Sequence, residues 1–174
     1  THEDEIDEYT DEIEMSLEDV QELVEELELE LLKSDEMDWE QQQKVEETVE
    51  KMDEIFNQVE QIQETMEQLQ KQAEKNNLID DQLMEKFDNF QQMMDEMMTP
   101  ELMDALQKMQ EAMGEMDPKK MLDALQNFEY DLDEFENQLD RFIEMFEMAM
   151  AEQKIDELVK QMEEMVNEQN KIME

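Results

Sequence analysis

Residues 98–120, MTPELMDALQKMQEAMGEMDPKK, hold both prolines (Pro100, Pro118), the only glycine (Gly114) and five of the twenty methionines of a 174-residue chain. Thr99-Pro100 and Asp117-Pro118 each set a good capping side chain before a proline at the first helical position, where the missing N–H is not needed. Both dipeptides read as helix starts. Gly114 follows the stripe Leu102, Leu106, Met109 and Met113, and the expectation is that it takes the left-handed conformation that ends a helix. The stretch therefore encodes a stop, a short helix over 100–113, a second stop and a restart.

Outward from this corner, hydrophobic spacing decides the fold class. Upstream, Val45, Thr48, Met52, Ile55, Val59, Ile62, Met66, Leu69 and Ala73 alternate steps of three and four, the seam of a helix that packs on another. The same frame reaches Leu83, Phe87, Phe90, Met94 and Met97. Asn76 and Asp80 fall on seam positions between the two runs, so a kink is expected near 76–81, relieved by Leu78 and Ile79. Downstream of Pro118, a second seam runs from Met121 through Phe128, Phe135 and Phe142 to Ala149. It then slips and resumes as Ile155, Leu158, Met162, Met165, Gln169 and Ile172. A third stripe, Ile6 to Leu31, lies in a helix over 4–33; Ser34 and Asp35 are expected to cap the next helix, with Trp39 packed at the joint.

The expected fold is all-α: an elongated antiparallel hairpin or coiled coil with a third, N-terminal helix and a short helix at its tip. A long helix over 38–98 and a return helix over 118–173 would run about 90 Å and 84 Å. Their near equality places residues 99–117 at the tip. A hairpin turning near residues 107–109 would set Phe87 and Phe90 opposite residues 126–129, where Phe128 stands.

Composition bounds the function. Charged and hydrophobic residues each make up 39% of the chain, and 55 acidic against 13 basic side chains give a formal charge of -42. Such a chain repels phosphate backbones and anionic lipid heads, which argues against nucleic acid and direct membrane partners. It attracts basic proteins and divalent cations. No apolar run approaches the ~20 residues that span a bilayer, so any membrane attachment is expected through segments outside this chain.

Cysteine is absent, His2 is the only histidine, and Ser16 and Ser34 are the only serines. A di-iron bundle would need a Glu-x-x-His motif on each of two helices, and no Gly-rich loop is present to cradle phosphate. No cofactor and no enzymatic activity are expected. The segment Asp131-Leu132-Asp133-Glu134-Phe135-Glu136 lacks the turn glycine of a calcium loop and carries seam residues, so it reads as helix.

Methionine is the feature with competing readings. Met94/Met97, Met113/Met116, Met145/Met148 and Met162/Met165 lie three apart, a spacing that puts two thioethers on one face and suits Cu(I). Most of them also coincide with the seam, where Met fills irregular gaps in a core. Exposed methionines would instead form adaptable protein contacts. Met103 and Met116, off the inward stripe, are the candidate partner contacts at the tip. Met145, Met148 and Met150, in the apolar stretch at the seam slip, are the candidate self-association patch of a homodimer.

Asp38-Trp39-Glu40 at a helix start, the segments NNLIDDQLMEKFDNFQQMMDEMMTPELMDALQKMQEAM and MDPKKMLDALQNFEYDLDEFENQLDRFIEMF, and the ending AEQKIDELVKQMEEMVNEQ resemble the helical region of a family of long, uncharacterised bacterial envelope proteins. The resemblance covers roughly residues 25–170. It implies a module of a larger membrane-anchored protein, lying outside the cytoplasmic membrane on the periplasmic side, and implies no activity. The resulting expectation is a non-catalytic spacer or docking segment. The alternatives are a ligand module, taking Cu(I) through Met or divalent cations through its acidic faces, and an acidic binder of basic proteins.

Overall fold

Four of the five helix starts carry a capping side chain that accepts a hydrogen bond from a first-turn N–H, and the fifth, at Asp117, does the same. Thr1 accepts from Asp4 N (3.3 Å), Asp38 from Gln41 N (2.8 Å), Asp80 from Leu83 N (2.8 Å), Thr99 from Leu102 N (3.1 Å) and Asp117 from Lys119 N (3.0 Å). These define α1 (His2–Lys33), α2 (Trp39–Lys75), α3 (Asp81–Met97), α4 (Pro100–Glu115) and α5 (Pro118–Met173). The computed structural model describes the backbone of residues 1–77 and 80–173, and the side chains of these except 154–161 and 173. The fold is all-α, with no strand among the described residues.

The segment expected as one helix over 38–98 is two helices, and the interruption is a reversal of the chain. Asn76 ends α2, Asn77 adopts φ 54°, and Asp80 caps α3. Asn tolerates the left-handed region because its short polar side chain bonds locally, so the polar seam residues that were expected to weaken the helix end it instead. Leu78 and Ile79, expected to relieve the break, lie outside the described residues. Beyond the turn α3 runs back along α2: Gln63 Nε2 donates to Asp95 Oδ1 (2.9 Å), and Gln70 Nε2 meets the Met84 sulfur (3.2 Å).

Helix α4 prolongs α3 along α2 in the same direction, since the Gln42 amide near the start of α2 meets Met116 just past the end of α4. Residues 81–115 thus form one arm with a joint at Met98-Thr99, and α4 belongs to the body of a bundle and not to a tip. The other arms are α1, α2 and α5. Lys44 reaches Glu26 (3.6 Å) and Glu30, Lys51 reaches Asp19 (3.2 Å), and Gln58 donates to Glu12 (2.9 Å), which fixes α1 antiparallel to α2. Gln21 donates to Glu136 (2.6 Å), joining α1 to α5. The neighbours close a ring, α1 to α2 to α3/α4 to α5 and back to α1.

The bundle interior is the seam of each arm. Ile13, Leu27, Ile55, Ile62, Phe128 and Leu139 are among its fully buried side chains, each contributing about 1.5–3 kcal/mol by burial. Met94 and Met97, one of the proposed thioether pairs, are 0% and 1% exposed and fill this core. Thr10, Thr48 and Thr65 are buried with hydroxyls donating to the carbonyls of Asp7, Lys44 and Gln61 (each 2.8 Å), so the polar atoms on the seam are satisfied within their own helices.

Aromatic contacts correct the expected register. Phe90 meets Phe142 and Phe146 edge-on at centroid distances of 5.7 and 5.8 Å, and Phe56 meets Phe135 at 6.5 Å. Phe90 therefore lies well beyond Phe128 along α5, because the chain reverses at Met116-Asp117 and not near residues 107–109. Trp39 is also placed differently: it is 70% exposed, and the joint before α2 is made by a reciprocal Asp38–Gln41 capping box with Met37 buried beneath it. Ser34 closes α1 and bonds to Glu36, leaving Asp38 as the cap of α2.

Gly114 is the remaining correction. It lies inside α4 without a positive φ, and the left-handed residue is Met116 at φ 58°. A two-residue link between antiparallel helices with Asp117 committed as the cap of α5 leaves Met116 as the one residue free to make the turn. The space around a Cβ at Gly114 is open. Gly114→Ala should therefore stabilise the protein by about 0.5–1 kcal/mol, and Met116→Gly by about 1 kcal/mol, both measured by urea denaturation.

Candidate interaction surface

Two surfaces emerge once the arms are assembled, one apolar and one acidic. The apolar one is a groove of about 160 Å³ between α3 and α5. Phe90, Met145, Met148 and Ala149 line it, with Lys86, Asn89 and Glu152 at its rim. A Lys86–Glu152 ion pair spans the rim. Phe90 is buried beneath the groove, whereas Met145 and Met148 are 37% and 59% exposed.

Of the three methionines expected to form a self-association patch, Met145 and Met148 line this groove, and Met150 does not join them. It is 6% exposed and belongs to the core, because it lies on the opposite side of α5, next to the seam residue Ala149. Met103 and Met116 are exposed on and beside α4. Met116 meets Gln42 at the turn end of the bundle, while Met103 stands nearly a full helix length away from that turn, so the structure does not gather the two into a tip. Of the remaining thioether pairs, Met162 and Met165 are both exposed, and Met113 is half-buried beside exposed Met116. Among the described residues no three His, Cys, Asp or Glu side chains converge where a metal ion would sit.

Beyond the groove, α5 leaves the bundle. Gln153 lines an open cavity of about 370 Å³ with Thr1 and His2 at the start of α1 and Asn76 at the end of α2, which marks the end of the four-arm body. From there the helix continues to Met173, about 30 Å further at roughly 1.5 Å per residue. Residues 162–172 are all exposed, including Met162 (65%), Met165 (63%), Val166 (55%) and Ile172 (84%). Ile155 and Leu158 of the same stripe have side chains outside the described residues. Among the described residues no helix is long and apolar enough to cross a membrane.

The acidic surface is the α1/α5 seam, which lacks the lysines that bridge α1 to α2. Glu129 is partly buried there and its pKa is raised to about 7, first by burial, then by a hydrogen bond from one carboxyl to the other across the Glu28 pair, and by the charges of Glu28, Asp133 and Glu25. One helical repeat or more along, Glu14 is also raised, by burial and then by Asp140, Asp11, Glu147 and Glu18. On the α4/α5 side Asp131 is raised by burial and by Glu134, Glu101 and Asp104. By contrast, Lys44 between α1 and α2 is held protonated above its usual range, chiefly by its hydrogen bond to Glu30.

Sequence reasoning found the methionines of the groove but not Phe90, Lys86 or Glu152 as their neighbours, and it missed the carboxyl seam. Both depend on which arms are adjacent, and the spacing along one helix carries no such information. Comparison with protein-family models, curated proteins and solved structures finds no match. The function must be read from the chain's own residues.

The carboxyl seam gives a pH dependence with a definite sign. A carboxyl whose pKa is raised on folding binds more protons in the folded state, so stability rises as pH falls through about 7 toward the unfolded value near 4.5. Urea denaturation midpoints should therefore increase from pH 8 to about pH 5. Glu129→Gln should be more stable than the parent at pH 8, with the difference closing on acidification.

Proposed function

We propose that the chain is a non-catalytic structural and interaction module, a spacer or docking segment of a larger bacterial envelope protein on the periplasmic side of the membrane. The observation that carries this reading is the shape of α5. One uninterrupted helix of 56 residues, about 84 Å long, is packed over its first part against the other three arms and projects beyond them with Met162, Met165, Val166 and Ile172 exposed. A rigid rod with an unpartnered stripe at one end holds things apart and joins to something.

Composition supports the same reading. The core is filled with Phe, Leu, Ile, Val and Met, cysteine is absent, and histidine and serine are nearly so. The charge of -42 keeps the rod soluble and turns away nucleic acid and anionic lipid. The envelope context rests on the resemblance of the helical segments to the bacterial envelope family.

Small-angle X-ray scattering combined with calorimetric titration tests this reading. The scattering should give a maximum dimension of at least about 84 Å, and a radius of gyration well above the ~16 Å of a globular chain of this length. Titration with Ca²⁺ and with Cu(I) should show no stoichiometric site. A compact particle, or a saturable metal isotherm, would overturn it.

A further inference from the structure

The bundle-facing heptad seam of α5 ends at Ala149, with Met150 buried beside it, and a second seam begins at Met148. Counting in sevens from Met148 puts Met148, Ile155, Met162 and Gln169 at the first core position of a heptad, and Ala151, Leu158, Met165 and Ile172 at the second. This pattern starts on the exposed wall of the α3/α5 groove, at Met148, and its spacing continues in the sequence to Met162, Met165 and Ile172, which are exposed. It spans about three and a half heptads, enough to specify a coiled coil. The groove wall and the projecting helix thus share one heptad pattern in the sequence.

The stripe is self-complementary in one orientation. Its midpoint is residue 160, so an antiparallel pair about that point sets Met148 of each copy beside Ile172 of the other, and Met162 beside Leu158 by register. Both exposed ends of the stripe are then covered. The same register places Lys154 opposite Glu168 of the other copy at the flanking positions, twice by symmetry, whereas a parallel pair sets Lys154 opposite Val159 and offers no charge match. Charge selects the same orientation at longer range. A parallel pair would bring two strongly acidic bundles side by side, while the antiparallel one separates their ends by about 21 Å, beyond the ~8 Å screening length at physiological salt.

We propose that the partner on this face is a second copy of the chain. The C-terminal half of α5 forms a twofold antiparallel coiled coil, and the end of each helix, around Ile172, is received by the α3/α5 groove of the other copy at Met148. The groove is incomplete without its partner: Met148 and Phe90 supply its wall and floor, and the partner's helix supplies the cover. The proposal rests on reading the chain as an interaction module and names the partner. A monomeric elongated rod would remove this dimer and leave the spacer reading standing.

Sedimentation equilibrium of the full chain should give twice the 21.1 kDa chain mass, with association strengthened by added salt because the copies repel. Met165→Glu lies in the exposed part of α5, so the bundle should stay folded by circular dichroism while the mass falls to that of one chain. Register is read by cross-linking, which is clean because the chain has no cysteine. An oxidised mixture of Met148→Cys and Ile172→Cys single variants should yield the mixed disulfide dimer in preference to either self-linked dimer. A monomer at every concentration, a dimer unaffected by Met165→Glu, or preferential linkage of position 148 to itself would each overturn the proposal.

Discussion

A chain carrying 55 acidic side chains against 13 basic ones must find enough apolar contact to hold four like-charged arms together, and it does so by folding its seam back on itself at residues 76–80. The seam of α2 presents about ten turns of apolar residues, far more than α1 alone covers. Turning α3 back along α2 places Phe87, Phe90, Met94 and Met97 in a shared interior with Val59, Ile62 and Met66. Asn77 in the left-handed region and Asp80 as a cap are what make that reversal possible. Had the helix continued, the aromatic residues of α3 would have faced α5 alone, and the acidic flanks would have been spread over a two-helix rod.

Electrostatics is distributed unevenly as a result. Three lysines reach across to a neighbouring arm: Lys44 and Lys51 between α2 and α1, and Lys86 between α3 and α5. Ion pairs at such exposed positions contribute at most about 1 kcal/mol each, so they select which arms lie together more than they stabilise the whole. Around Glu28 and Glu129 the α1/α5 seam is held by apolar contact and the Gln21–Glu136 hydrogen bond, with carboxyls crowded along its edge. Protons do there what lysines do elsewhere, which is why Glu129 stays protonated to near-neutral pH.

Much of this was legible in the sequence, and the part that was not has a common cause. The helix starts at Thr99 and Asp117, the helical nature of every segment and the identity of the buried seam residues follow from spacing and capping chemistry, which are local. The arm directions do not. Asn76 and Asp80 signal a weak point, but whether the chain kinks or reverses depends on how much apolar surface is waiting on the other side. With the break read as a kink, α4 became a tip and Phe90 was paired near Phe128. With the reversal in place, α4 lies in the body of the bundle and Phe90 packs on Phe142 and Phe146. Gly114 shows the same limit on a smaller scale: glycine permits a left-handed residue, but the two-residue link to Asp117-Pro118 decides that Met116 adopts it. For the interaction surface, Met145 and Met148 were visible as an apolar excess, while the burial of Met150 needed the arms on both sides of α5.

The reversal at 76–80 is the claim on which the bundle, the groove and the projecting end of α5 all depend, and a single distance decides it. Nitroxide labels on cysteines introduced at Gln63 and Asp95, in a chain with no cysteine of its own, report their separation by pulsed electron resonance. In the four-arm bundle these residues face each other across adjacent helices, joined by a 2.9 Å hydrogen bond, and axes ~8–10 Å apart place the labels at short range. Residues 32 apart on one continuous helix would stand about 48 Å from each other. A short distance is the predicted result, and one near 48 Å would contradict the reversal.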